Sequence, residues 1–121
     1  MSWVDDVLRE FGRSMGLPNL AFGQRGAVRL SVERLGQLGL ERRPDEVLLF
    51  LLRPIPVGDA RPLRKALAVC HYREGHSFAV QAGLRGDDRL VFVVRIPERE
   101  FTVQAIEQGI ELLDRLHVSV A

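Results

Sequence analysis

Cysteine is nearly absent from this chain of 121 residues, Cys70 being the only one. A lone thiol excludes an intrachain disulfide, a CxxC redox pair and a cysteine-based zinc cluster. Lysine is equally scarce: Lys65 stands alone among 17 basic residues, and 16 acidic residues leave a formal net charge of +1. That balance provides no field for steering toward nucleic acid, and one Trp with one Tyr is no stacking platform for single strands. Neither GxGxxG nor GxxxxGK(S/T) occurs, so no phosphate cradle is written here. The longest apolar run, VLLFLL at residues 47–52, is too short to cross a bilayer. The first twenty residues carry Asp5, Asp6 and Glu10 and lack an uninterrupted apolar core, which excludes a signal peptide. A cytoplasmic location is the expectation.

What remains is ordinary for a folded protein. Hydrophobic residues make up 46% and charged residues 27%, far from the composition of disorder. The length fits one domain over residues 1–121, able to bury about two-thirds of its unfolded surface. The arginine bias suits bidentate contacts with carboxylates, although GC-rich codon usage explains it equally well.

SWVDDVLREFGRSMGLP opens the chain after Met1, with Trp3, Val4, Val7, Leu8, Phe11 and Met15 at helical spacing. Ser2 caps this first helix and Gly16 with Pro18 ends it. AVRLSVE alternates as a half-buried strand, GQLGLERR at 36–43 is a weaker one, and EVLLFLLRPI is apolar on both faces, hence central in the sheet. Pro62 suits the first turn of a helix over 61–73, whose stripe is Leu63, Ala66, Leu67 and Cys70. FAVQAGL and RLVFVVRI flank a GDD turn as a hairpin. A last helix runs from about 99 to 117, opened by Thr102 or a residue just before it. The order α-β-β-β-α-β-β-α predicts an α+β fold, an antiparallel five-stranded sheet packed by helices.

No catalytic constellation emerges. Cys70 and His71 are helix neighbours that point about 100° apart, which separates nucleophile from base. Cys70 on an apolar stripe reads as a small hydrophobe. His71 and His76 lack a third metal ligand nearby, and Asp87-Asp88 suits a hairpin turn. A small ligand- or metal-binding enzyme domain built from His71, His76 and Asp87 is therefore the weaker alternative. No cofactor is indicated. The positive signal is surplus apolar surface: three amphipathic helices and two-sided strands hold more than one small protomer plainly covers.

The opening MSWVDDVLREFGRSMGLP, the close IELLDRLHVSVA and this element order resemble the class I chaperones of bacterial type III secretion, in particular those of the SycN type. The resemblance implies a non-enzymatic chaperone for a gatekeeper of the YopN type. It implies a dimer, with a YscB-like partner subunit or with a second copy, and no role for nucleic acid. Dimer contacts would fall on Leu63, Leu67, Cys70, Phe78 and Val80. The client's extended N-terminal segment would pack on Trp3, Val7, Leu8, Phe11, Leu30 and Leu38. Peripheral association with the export apparatus at the inner membrane is a further expectation. Chaperones of this class are often acidic, and this chain is not.

Overall fold

A computed structural model describes residues 3–71 and 78–121. Helix α1 spans Trp3–Ser14, strands β1, β2 and β3 span Ala27–Val32, Gly36–Arg43 and Glu46–Pro54, and α2 spans Arg61–His71. Strands β4 (Ala79–Arg85) and β5 (Arg89–Pro97) follow, then α3 (Val103–Val120). The order is the predicted one. All neighbouring strands are antiparallel, in the spatial order β1-β2-β3-β5-β4. β3 is the middle strand, as its two-sided apolar sequence predicts, and β1 and β4 are the edges.

Local chemistry explains the element ends. Gly16 has φ +76°, a conformation that costs an L side chain energy. There Leu17 N–H donates to Gly12 O (2.7 Å) and Gly16 N–H to Arg13 O (3.1 Å), a Schellman closure of α1. The Ser2 cap lies outside the described residues. Asp59 organises the start of α2, accepting from the backbone N–H and the guanidinium of Arg61 at 2.8–3.0 Å. That hydrogen bonding pulls the Asp59 carboxyl down to about 2. Residues 72 and 73, assigned to this helix from sequence, lie outside the described residues.

The last helix begins later than its periodicity suggests. Glu98–Glu100 form one 3-10 turn, Phe101 is extended and fully buried, and Thr102 is the true cap, its hydroxyl accepting from Ala105 N–H at 3.0 Å. Burial of the Phe101 ring needs the chain to bend just where a helix from 99 would run straight.

The three helices contribute to a single apolar core. Val4, Leu8 and Phe11 of α1, Ala66 of α2, and Ile106, Leu113 and Leu116 of α3 meet one face of the sheet. That face carries Leu38, Leu40, Leu49, Leu51, Phe92 and Val94, the alternate residues of β2, β3 and β5. No described helix covers the other face.

His117 fastens the end of α3 to this layer. Its Nε2 donates to the Leu51 carbonyl at 2.8 Å, and its ring meets Phe92 edge-on with centroids 4.9 Å apart. One turn earlier Asp114 pairs with Arg53, which also donates to the Leu35 carbonyl. Burial depresses the His117 pKa below 6.5, with Arg53 adding to the effect, while the Leu51 bond and Asp114 oppose it. The folded state therefore binds this proton less readily than the unfolded chain. The sign follows: stability is intact above pH 6.5 and declines as pH falls from 6.5 toward the lower folded value. Urea titrations between pH 7.5 and 5 should show this loss, and His117→Gln should flatten that part of the profile.

Candidate functional site: apolar surfaces at the sheet edge and on the first helix

The surface is built from what the core leaves out. In α1 the residues at i, i+4 and i+7 (Val4, Leu8 and Phe11) are 0–1% exposed, whereas Trp3, one position round the helix, is 44% exposed. Val7 is half-buried beside it. The oily helix face is thus divided between the chain's own sheet and its exterior. Among the described side chains of α2 only Ala66 is fully buried; Leu63, Val69 and Cys70 pack partly against the core, and Leu67 points out, 49% exposed. With one sealed side chain among those described, this helix is weakly seated and has apolar surface to give away.

Leu67, Cys70 and Val80 line one open hollow of about 620 Å³. It wraps over the edge strand β4 and continues through Gln81, Ala82 and Gly83 to Val91 and Val93. Of the five residues assigned to a dimer contact, these three are brought together. Phe78 lies in a neighbouring hollow of about 380 Å³ with Asp45, Glu46, Arg95 and Glu100, and Leu63 lines neither. Trp3 borders a third, also about 380 Å³, with Asp45, Pro97, Glu98 and Arg99. The Cys70 thiol has its pKa raised by burial, which keeps it protonated and a poor nucleophile.

Three residues assigned to client binding need correction. Leu8, Phe11 and Leu38 are 0%, 1% and 0% exposed and interlock in the core. They are out of a client's reach because the sheet already covers them. Trp3 is exposed and Val7 and Leu30 are half-buried, so these three remain at the surface. Sequence reasoning missed Val91 and Val93. Their signal was present in RLVFVVRI, which stays apolar at successive positions instead of alternating.

The residues of the enzymatic alternative do not form a described site. His76 and the side chain of His71 lie outside the described residues, and Asp87 is exposed in the turn between β4 and β5. Among the described residues, no three His, Cys, Asp or Glu side chains are placed to hold a metal ion. No described helix is long and apolar enough to cross a membrane.

A one-sided sheet with hollows at its edge leaves apolar surface open. The family described as Type III secretory system chaperone SycN matches residues 3–121, and the chain belongs to that family, one of secretion chaperones and not of enzymes. It is 26% identical over 121 residues to the chaperone protein SycN of Yersinia enterocolitica, covering 99% of this chain and 98% of that one. It is 28% identical over 123 residues to SycN of Yersinia pseudotuberculosis serotype I, with the same coverage. Among solved structures it is similar to the Yersinia pestis type III secretion chaperone SycH, crystallised with a stable fragment of YscM2. The TM-score is 0.73 at 18% identity, over 98% of this chain and 99% of that one.

The division into sealed and open residues is directly measurable. Leu8→Ala should destabilise the protomer by about 2–5 kcal/mol, the range for an emptied core site. Trp3→Ser should change it by less than about 0.5 kcal/mol, as exposed positions do. Chemical denaturation of the two variants side by side checks the contrast.

Proposed function

We propose that residues 1–121 act as one unit, a subunit of a dimeric chaperone that holds the extended N-terminal segment of a secreted YopN-type gatekeeper. The work is done in the cytoplasm, beside the export apparatus at the inner membrane. The dimer forms with a YscB-like subunit, or with a second copy, through α2 and β4: Leu67, Cys70 and Val80 at the centre, Leu63 and Phe78 at the margins. The client segment packs on Trp3, Val7 and Leu30. The observation that carries this reading is Leu67, 49% exposed above an apolar hollow that its own chain leaves open. Family membership supports it, as does the likeness to SycH, a chaperone crystallised in complex with a protein fragment.

The mechanism is physical. Burying apolar side chains at about 25 cal/mol per Å² supplies the attraction, and ordering an extended segment cancels much of it. A segment held this way stays out of aggregates and is released without first being unfolded. Main-chain hydrogen bonds to a free strand edge would add affinity with little demand on client sequence.

A charge at the centre of the contact tests the placement. Leu67→Glu should shift the dimer toward monomers by tenfold or more, about 1.4 kcal/mol, while the released monomer keeps the circular dichroism of the folded chain. Trp3→Glu should weaken retention of the client segment and leave the dimer intact. Sedimentation equilibrium with each variant separates the two effects. A Leu67→Glu dimer of unchanged affinity would refute the interface.

A further inference from the structure

The loop between β3 and α2 and the end of α3 enclose a hollow of about 440 Å³ that neither contact proposed above uses. Small-molecule sites run to about 300–1,000 Å³, and this one falls in that range. Its walls are mostly apolar: Ile55 from the loop, Leu90 from β5, and Val118 and Val120 from the last turn of α3. Leu90 and Val120 belong to the sealed core and Ile55 is half-buried against it, so the walls are held in place.

The polar groups around the hollow are few and mostly committed. Pro54, Pro56 and Pro62 have no N–H to offer. The Ile55 N–H already donates to Asp88 O at 2.8 Å, the Asp59 N–H to Pro56 O at 3.2 Å, and the Ala121 N–H to Val118 O. Both charged side chains on the wall are matched within the chain, Arg53 by Asp114 and Asp59 by Arg61. The hollow thus offers a ligand little backbone donation and no unmatched side-chain charge.

One acceptor is left over. His117 is 4% exposed and spends its Nε2–H on the Leu51 carbonyl, which leaves Nδ1 with a lone pair. No donor among the described residues reaches that nitrogen. Nor is it walled in, because no side-chain nitrogen or oxygen among the described residues is both sealed and unpartnered. Nδ1 therefore faces free space, and the hollow is the space that this ring lines. Such an acceptor discriminates: a ligand that brings no donor strips it of water and leaves it unpaired.

We propose that this hollow binds a small neutral aromatic molecule carrying one N–H or O–H, of the indole or phenol class. The ring would fill the space between Ile55, Val118 and the prolines, and its single donor would meet His117 Nδ1. A flexible aliphatic chain fits less well, since it gives up rotational freedom on entering a rigid site. A carboxylate or an ammonium fits badly, because its charge would be desolvated without a free side-chain partner. The site joins β3, the lead-in to α2 and α3, so a ligand held there stabilises the folded chain by mass action.

The test uses the full chain above pH 7, where His117 is neutral, and follows NMR signals as indole is added. Indole should move the methyl resonances of Ile55, Leu90, Val118 and Val120 and the His117 Nδ1 resonance, saturably, and should raise the melting temperature. The 1-methyl derivative, which keeps the ring and loses the donor, should bind about tenfold more weakly or not at all. Indole-3-acetate and tryptamine should bind no more tightly than indole. Ile55→Trp, which fills the hollow, should abolish indole binding while the near-ultraviolet circular dichroism remains that of a packed core. Leu67→Glu should leave indole binding unchanged, so this site and the dimer contact fail separately. Equal affinity for indole and its 1-methyl derivative would overturn the proposal, as would tighter binding of either charged analogue. Indole shifts gathered at Leu67, Val80 or Trp3 would also overturn it. So would tighter binding of N-acetyltryptophanamide, which would make the side chain of another protein the occupant.

Discussion

The architecture depends on one constraint: three helices share one face of a five-stranded sheet. That face receives nearly all the large apolar side chains that the chain seals, from Leu8 and Phe11 through Leu49 to Phe92 and Ile106. Among the described residues no second helical layer lies behind the sheet. Apolar residues that do not fit into the single core are therefore left at the helix flanks, at the β4 edge and on the far side of the strands. Apolar surface left open on a fully folded protomer follows from this geometry.

The same constraint explains why α1 and α2 look alike in sequence and behave differently in the fold. Each has a strong apolar stripe. The α1 stripe is mostly absorbed, because Val4, Leu8 and Phe11 descend onto the sheet and the Schellman closure at Gly16 turns the chain back over it. The α2 helix lies at the edge strand, where there is less sheet to cover, and among its described side chains only Ala66 is fully sealed. Leu67 is exposed because of position, not because of composition.

Much of this was legible in the order of residues. Element order, the central place of β3, the GDD hairpin turn and the Thr102 cap all follow from periodicity and turn chemistry. Boundaries were less legible where the core overrides local preference, as when burial of Phe101 delays the last helix. The assignment of surface residues was the weakest part. Helical spacing shows that Trp3, Leu8 and Phe11 share a broad face, but which part of that face meets the sheet depends on how the helix is rolled in three dimensions. Likewise, Val91 and Val93 read as ordinary strand residues until the helices are seen to lie on the other side.

The central claim is that the isolated chain keeps apolar surface open while fully folded, and the binding of anilinonaphthalene sulfonate by the purified protein tests it most directly. Strong dye fluorescence, with the sharp near-ultraviolet circular dichroism of a packed core and suppression of the signal when a partner subunit is added, is the predicted result. A dilution-stable monomer that leaves the dye dark would contradict the account.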